Sequence, residues 1–258
     1  MGGGASKNNA RPATAAKAKS LGKVFLDAGV KKIIMIRHAN AQARDPEAAA
    51  VEAGTVLKPD TPFANAWTIG DLTRKLTPIG EEQASAAMAW FGTNSIRAVI
   101  CSEATRAIAT KDIMTEGKFP QGAPGHMTLH TLHPARSGTP ECEKMFDKLG
   151  YGTLNTYYAD KTVEGCEGRG KAIFRLYVDK VTSELHALMK RGVANFPDNG
   201  GDTIAVFGHA VFLNAVAIAV GEAMAIGQAE EKVAEMELGE AQGILCDSEN
   251  KAISLCSA

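Results

Sequence analysis

Short apolar runs recur along the chain, separated by longer stretches in which apolar residues return every three or four positions. The runs at 31–36, 97–101 and 203–207 are rich in β-branched residues, and a weaker run lies at 127–132. Continuous apolar runs of this length are typical of strands that are buried on both faces of a parallel sheet. We therefore predict that these four segments form strands of one sheet.

Helical spacing of apolar residues fills the intervals between these runs. The longest amphipathic segment spans 168–191, where apolar residues recur on one face of a helix. Another helix is predicted to begin at Pro78 with Thr77 as its N-cap, and further helices follow Ser102 and His209. Strands that alternate with helices predict an α/β fold, a three-layer sandwich with a mostly parallel central sheet and helices on both faces.

Two regions depart from this alternation. Residues 41–75 form a polar, proline-containing stretch, which we predict to be a long loop with one short helix around 46–53. Near the C-terminus, apolar residues alternate with glutamates over 234–238 and predict a late strand. The segments 243–247 and 252–256 predict a terminal hairpin.

The composition is that of a soluble globular protein, with 258 residues, of which 45% are hydrophobic and 22% charged. That length fits one large domain, which we place at residues 21–258. The five cysteines include no CxxC pair, so a disulfide framework is not indicated and a reducing, cytoplasmic location is expected. No apolar run reaches the roughly 20 residues that a membrane helix requires.

The first 20 residues differ in composition from the rest of the chain. They are rich in Gly, Ala, Asn and Lys without apolar periodicity, which predicts a disordered or loosely helical basic arm over 1–20. Met1–Ser6 fits the N-myristoylation pattern with Gly2 as the acceptor, and a chance match in a flexible tail is the alternative. Residues 1–32 carry seven basic residues and one acidic residue. An acyl chain and basic charge together predict an anionic membrane surface as a partner, rather than nucleic acid.

Polar residues directly follow three of the predicted strands. Arg37-His38 ends the first strand, Ser102 follows the second, and Gly208-His209 follows the run at 203–207. Open α/β sheets bind their ligands just past the carboxyl ends of their strands. These residues are therefore our candidates for a common functional site.

Two motifs on predicted helices accompany these strand ends. Residues 76–84 read LTxxGxxQA, and residues 102–110 read SxxxRAxxT and contain Arg106. With Arg-His before them and Gly-His after them, the chain resembles the histidine phosphatase, or phosphoglycerate mutase-like, superfamily. The resemblance covers about 32–115 and 200–220.

The resemblance implies the fold predicted above and a site for phosphoryl transfer. His38 is the implied nucleophile, with Arg37, Arg106 and His209 as ligands of the phosphoryl oxygens. A neutral imidazole is a good nucleophile, and neighbouring guanidinium groups lower its pKa by like-charge repulsion. The donor forks of arginine also match phosphoryl oxygens. No metal or other cofactor is required for this chemistry.

The remaining site residues depend on weaker signals. Asn40 and Ser102 are predicted to contribute to substrate binding. The family's usual Gly after the catalytic His is Ala39 here, and its usual Glu or Asp at the next position is Asn40. No motif marks the acid that protonates the leaving group. Glu141 is our first candidate and Glu143 the second, with a solvated first helical turn as the alternative interpretation.

Three further histidines, His126, His130 and His133, form a second cluster in the sequence. On a strand, the first two share a face and the third points away, so the three would not converge on a metal ion. We expect these side chains to be partly exposed at the end of the sheet.

The predicted function is that of a phosphoric monoester hydrolase. The enzyme would hydrolyse a phosphomonoester or a phosphohistidine, on a small molecule or a protein, through a covalent phosphohistidine on His38. Two alternatives remain open. A phosphoglycerate-type mutase would retain its product for a second transfer, and a catalytically weak scaffold protein would bind phosphate at the membrane without turnover.

Overall fold

The computed structural model describes residues 11–43 and 71–257. Its helices are α1 (Arg11–Asp27), α2 (Pro78–Phe91), α3 (Thr105–Met114), α4 (Pro140–Leu149), α5 (Leu154–Ala159), α6 (Gly170–Gly192), α7 (Phe212–Ala223) and α8 (Ala229–Ala234). Its strands are β1 (Lys32–Arg37), β2 (Ile96–Cys101), β3 (His126–Thr128), β4 (Thr203–Gly208), β5 (Gly243–Asp247) and β6 (Ala252–Cys256). Short 3-10 helices cover His130–Leu132, Pro134–Arg136 and Val193–Asn195. The short helix predicted around 46–53 lies outside the described residues.

The six described strands form one mixed sheet in the order β3-β2-β4-β1-β5-β6. The first four strands in this order are parallel to one another. The fifth strand pairs antiparallel with β1, and the sixth pairs antiparallel with the fifth. The mostly parallel sheet and the terminal hairpin are confirmed, the hairpin at the predicted bounds.

Alternate side chains of the central strands point to opposite layers of helices. Ile33 and Met35 of β1 pack with the layer that contains α1, α6 and α7. Ile34 and Ile36 pack on the other face, with α2 and α3. Each interior strand is therefore buried on both faces, as its continuous apolar sequence predicts. The three-layer α/β architecture is confirmed.

Helix α1 extends the folded body further towards the N-terminus than predicted. The boundary placed between residues 20 and 21 falls inside this helix. Ala18, Leu21 and Phe25 are buried, and the helix packs against α6 and α7. These three residues lie three and four positions apart, so they form one helical stripe within a lysine-rich segment. Residues 1–10 lie outside the described part of the chain.

The late strand predicted over 234–238 is wrong. Helix α8 ends at Ala234, and the following residues form a loop without a strand. Side chains, rather than a neighbouring strand, bind two of its carbonyl groups. Asn214 Nδ2 donates to the Met236 carbonyl at 2.9 Å, and Arg37 Nη1 donates to the Leu238 carbonyl at 3.0 Å. An alternating pattern is common to strands and to loops whose apolar residues anchor them to the core.

The third predicted strand is shorter than expected. It ends at Thr128, and a 3-10 turn over His130–Leu132 replaces its second half. In contrast, α2 begins as predicted, because Thr77 Oγ1 accepts the Gly80 N–H at 3.1 Å and caps the helix. Within the ranges that the structure describes, no helix is long and apolar enough to cross a membrane.

Candidate active site

The ends of β1, β2 and β4 bring three of the predicted site residues, His38, Ser102 and His209, to one edge of the sheet. The ladder continues one residue past two strands, since His38 N–H and Ser102 N–H donate to main-chain carbonyls of β4 at 3.0 and 2.9 Å. His209 follows β4 directly, and Arg106 enters from the first turn of α3. His38, Ser102, Arg106 and His209 are all almost completely buried.

His38 presents a neutral imidazole with a defined tautomer. Its Nδ1 lies 2.7 Å from the Ala39 carbonyl oxygen, which can only accept, so Nδ1 carries the proton. Its Nε2 lies 3.1 Å from Arg106 Nε, which can only donate, so Nε2 holds a lone pair. Burial, followed by the charge of Arg106, lowers the pKa of His38 well below 6.5. Nε2 is therefore unprotonated at neutral pH, as a nucleophile requires.

His209 shares the same guanidinium group. Arg106 Nη2 donates to His209 Nδ1 at 3.1 Å, so the imidazole proton lies on Nε2, which donates to Ser102 Oγ at 3.2 Å. Burial and then the charge of Arg106 lower the pKa of His209 well below 6.5. The rings of His38 and His209 meet edge to face with centroids 5.0 Å apart. Two neutral imidazoles thus flank one cation.

The turn after His209 is strained. Val211 is buried and has φ 70° and ψ −53°, a combination that a β-branched residue rarely adopts. Strain of this kind costs about 1–3 kcal/mol and persists only where the surroundings enforce it. Here Val211 N–H donates to Asn214 Oδ1 at 3.1 Å, and Leu213 N–H donates to the His209 carbonyl at 2.9 Å. The tight turn fixes His209 between the end of β4 and the start of α7.

Arg106 divides its donors between two sets of acceptors. On one side, Nε and Nη2 donate to the imidazole nitrogens of His38 and His209. At the other end, Nη1 donates to the main-chain carbonyl of Asp71, and Nη2 donates to Asp71 Oδ2 at 2.8 Å. Arg106 and Asp71 are each 1% exposed, so they form a buried ion pair.

Asp71 is the site residue that the sequence did not reveal. Its carboxylate also accepts from His133 Nε2 at 2.8 Å and from Arg74 Nη1 at 2.9 Å. Burial alone would raise the pKa of Asp71, but the His133 hydrogen bond and the charge of Arg106 outweigh it and hold the pKa far below 3.8. Asp71 is therefore ionised at neutral pH. It lies in the polar stretch predicted as a loop, where neither periodicity nor a motif distinguished it.

We predicted that His133 is partly exposed, and this is wrong. The side chain is fully buried beside His209, with ring centroids 5.0 Å apart. Its Nδ1 accepts the Ala135 N–H at 3.2 Å, so Nε2 carries the proton that it donates to Asp71. The 3-10 turn that replaces the end of the predicted strand accounts for the difference, because it redirects the chain towards the site. His130 lies at the surface.

Arg37 precedes His38 at the end of β1 and has a buried N–H donor that is unused within the described part of the chain. Its Nη1 donates to the Leu238 carbonyl at 3.0 Å, and its Nη2 lies 3.8 Å from Glu240 Oε1. The ring of Tyr151 covers the guanidinium group at 4.0 Å. Nε is buried and has no hydrogen-bond partner among the described residues. A buried donor without an acceptor is costly, so Nε favours binding of an anionic ligand.

Asn40 is bonded to other protein groups. Thr77 Oγ1 donates to Asn40 Oδ1 at 2.7 Å, and Asn40 Nδ2 donates to both carboxylate oxygens of Glu240 at 3.1 Å. Gly80 packs against the same main chain, since a Cβ at Gly80 would lie 2.0 Å from the Asn40 carbonyl oxygen. This contact explains the glycine of the LTxxGxxQA motif. A substrate-binding role for Asn40 stays a prediction.

Ala39 fits the turn where the family usually has glycine. It does not adopt a positive φ, so the position does not need the conformational freedom of glycine. Its N–H donates to Thr110 Oγ1 at 3.0 Å, and its methyl group is buried with the α2 and α3 layer. The threonine of the SxxxRAxxT motif therefore holds the main chain beside His38.

Glu141 lies in the first turn of α4. Burial and then the charge of Glu141 raise the pKa of the Cys142 thiol. Within 11–43 and 71–257, no hydrogen bond or ion pair joins Glu141 to His38 or Arg106. The second candidate, Glu143, accepts a hydrogen bond from Ser137 Oγ at 2.9 Å. The role of Glu141 as the general acid stays a prediction.

The chain is similar to solved structures of phosphatases. A putative α-ribazole-5′-phosphate phosphatase from Escherichia coli has 16% identity and a TM-score of 0.46, with 89% of this chain and 97% of that chain covered. Phosphoserine phosphatase from Entamoeba histolytica, in complex with 3-phosphoglyceric acid, has 15% identity and a TM-score of 0.45, with 88% and 95% covered. A putative phosphohistidine phosphatase SixA from Agrobacterium tumefaciens has 12% identity and a TM-score of 0.40, with 84% and 91% covered. All three are named as phosphatases. Neither a protein-family model nor a curated relative matches the chain.

Proposed function

We propose that the protein is a phosphatase in which His38 Nε2 takes the phosphoryl group from a phosphomonoester or a phosphohistidine. The observation that carries this proposal is the contact between His38 Nε2 and Arg106 Nε, 3.1 Å apart. It joins an unprotonated nucleophile to a guanidinium donor in a buried site. The second neutral imidazole, that of His209, lies on the same side of the guanidinium group.

In the first step, the lone pair of His38 Nε2 attacks phosphorus as the bond to the leaving group breaks. The hydrogen bond from Nδ1 to the Ala39 carbonyl stabilises the positive charge that the imidazole gains. Arg106 Nε and Nη2, which donate to imidazole nitrogens in the free protein, then donate to the phosphoryl oxygens. Arg37 Nε supplies a further donor.

In the second step, water attacks the phosphohistidine, the P–N bond breaks and Nε2 recovers its lone pair. The leaving group gains a proton in the first step, and water loses one in the second. We assign both transfers to the carboxyl group of Glu141, which returns to its starting state after one cycle. A phosphohistidine substrate depends less on this acid, because its leaving group is an imidazole.

We extend the proposal to the location of the protein. The basic arm and an acylated Gly2 would hold a cytoplasmic enzyme at an anionic membrane surface, where it would meet a phosphorylated small molecule or protein. The seven basic residues within 1–32 support this idea. Gly2 itself lies outside the described residues.

The test is turnover of p-nitrophenyl phosphate by the purified protein, with and without vanadate. Rapid acid-free quenching should trap a phosphate on the wild-type chain that is labile in acid and stable in base, and the His38→Ala protein should carry none. Vanadate-sensitive turnover with a trapped phosphohistidine supports the proposal. Phosphate binding without any turnover would contradict the proposal and support the alternative of a phosphate-binding scaffold protein.

A further inference from the structure

The guanidinium group of Arg106 is held from two directions. Its Nε and Nη2 face His38 and His209, at 3.1 Å each, on the side where the phosphoryl group would bind. Its Nη1 and Nη2 face Asp71, which accepts through its main-chain carbonyl and through Oδ2. A guanidinium group is planar and rigid, so fixing one end also fixes the direction of the other donors.

We propose that Asp71 is a positioning residue for phosphoryl transfer. It holds the Nη1/Nη2 end of Arg106, so that the Nε/Nη2 side stays directed at the phosphoryl group above His38. This inference rests on the proposed function. Asp71 itself does not touch the reacting atoms and acts only through Arg106.

Asp71 is suited to this role because its own carboxylate is fixed. Oδ2 accepts from both Arg106 Nη2 and His133 Nε2 at 2.8 Å, and Oδ1 accepts from Arg74 Nη1 at 2.9 Å. His133 is anchored in turn by the Ala135 N–H. A continuous chain of hydrogen bonds therefore runs from the 3-10 turn after β3, through Asp71, to the first turn of α3. Partners of this kind orient the groups that contact a ligand.

The placement of the charge also matters. Asp71 neutralises Arg106 from the far end, so that no carboxylate hydrogen-bonds to His38 Nε2 within the described residues. Replacing Asp71 by Asn keeps the shape of the side chain but removes its charge. The site then becomes more positive while Arg106 loses its orientation. Binding of an anion in the ground state should survive this change better than the transition state does.

The experiment compares Asp71→Asn, Arg106→Lys and the double variant with the wild type, using p-nitrophenyl phosphate kinetics and calorimetric titration with inorganic phosphate. Asp71→Asn should lower kcat by about 10- to 100-fold, as expected for misorienting one oxyanion donor. The Kd of phosphate should change by less than about threefold. In the Arg106→Lys background, Asp71→Asn should lower kcat by less than about threefold, because the guanidinium group through which it acts is already gone.

Asp247→Asn is the matched control. Asp247 is a buried aspartate whose carboxylate accepts from the N–H groups of Glu249 and Asn250. It lies opposite Lys32 in the β1–β5 ladder, at the end of β1 away from the site. The Asp247→Asn protein should melt at a lower temperature than the wild type but keep the wild-type kcat. If Asp71→Asn does not fold, the same cycle is run with His133→Phe in its place, which keeps a ring but removes the Nε2–H donor to Asp71.

Two results would overturn the inference alone. The first is a wild-type kcat in the Asp71→Asn protein, or in the His133→Phe protein that replaces it. The second is a loss of kcat of equal size in the wild-type and Arg106→Lys backgrounds. A wild-type protein that neither turns over the ester nor binds phosphate would overturn the proposed function, and this inference with it.

Discussion

Replacing Arg106 by lysine tests whether the site needs a guanidinium fork or only a positive charge. Arg106 donates from Nε to His38 at 3.1 Å, and from Nη2 to His209 at 3.1 Å and to Asp71 Oδ2 at 2.8 Å. Its third nitrogen, Nη1, donates to the Asp71 carbonyl. A lysine ammonium concentrates its three donors on one atom at the end of a flexible stem. It can remain near Asp71 or reach the phosphoryl oxygens, but it cannot do both with the same geometry.

The expected loss follows from the number of donors. Removing one well-placed oxyanion donor costs about 2.7–4 kcal/mol of transition-state stabilisation, and each 1.36 kcal/mol is about tenfold in rate. Arg106→Lys should therefore lower kcat/KM by about 100- to 1000-fold. Arg106→Ala should lower it further. The alanine variant also leaves Asp71 buried without its principal cation, a change that costs about 3–5 kcal/mol of folding free energy, against a total of about 5–15 kcal/mol for a typical domain.

The assay is kcat/KM for p-nitrophenyl phosphate, with thermal melting to confirm that each variant is folded. Arg136→Lys serves as the control, since Arg136 is a partly exposed arginine that pairs with Glu103 at 2.8 Å. It should retain wild-type kinetics. If Arg106→Lys stays within about threefold of the wild type, Arg106 supplies only charge and the two-sided geometry is irrelevant to turnover.

The remaining predictions concern the nucleophile, the N-terminal helix and the arm. His38→Ala should abolish turnover and keep the fold, while His186→Ala should be active; residual turnover without His38 rules out the covalent route. Burial and a neighbouring guanidinium lower the pKa of His38 well below 6.5. His38 therefore stays deprotonated as the pH falls, and the loss of kcat/KM at acidic pH should have its midpoint below pH 6.5. A midpoint at higher pH contradicts the neutral-imidazole assignment. Leu21 is 0% exposed and Leu26, on the same helix, is 72% exposed. In urea unfolding, Leu21→Ala should therefore lower the free energy of unfolding by about 2–5 kcal/mol, and Leu26→Ala should lower it by under about 0.5 kcal/mol. Equal effects would mean that α1 does not pack as described. Gly2→Ala should prevent acylation by a co-expressed myristoyl transferase and release the protein from anionic liposomes, and wild-type protein of unchanged mass would refute acylation.

The sheet was predictable because its interior strands carry their own signal. The strands predicted over 97–101 and 203–207 are observed at Ile96–Cys101 and Thr203–Gly208, so one end of each differs by one residue. A strand that is buried on both faces must be apolar throughout, so its sequence alone distinguishes it from the amphipathic helices around it. Helix α1 was harder to predict because lysines surround its apolar stripe. The stripe is buried only through contact with α6 and α7, which the local sequence does not show.

The site was predictable only in part, for a similar reason. His38 and His209 adjoin strand ends, and the parallel arrangement of the strands brings such positions together. Asp71 and His133 do not follow this rule. They are 62 residues apart in the chain, and their hydrogen bond depends on how the polar stretch before α2 meets the turn after β3. No local pattern encodes a contact of that kind.

The position of Asp71 explains how a buried cation and a neutral histidine coexist. A carboxylate bonded to His38 would raise the pKa of the imidazole and favour its protonated, unreactive form. Asp71 instead compensates Arg106 from the Nη1/Nη2 end, while Arg106 Nε donates to the unprotonated Nε2. In the proposed reaction, an incoming phosphoryl group would meet an imidazole that is already neutral and a guanidinium group whose Nε and Nη2 exchange imidazole nitrogens for phosphoryl oxygens. Because this exchange takes place when the substrate binds, little reorganisation would be left for the transition state.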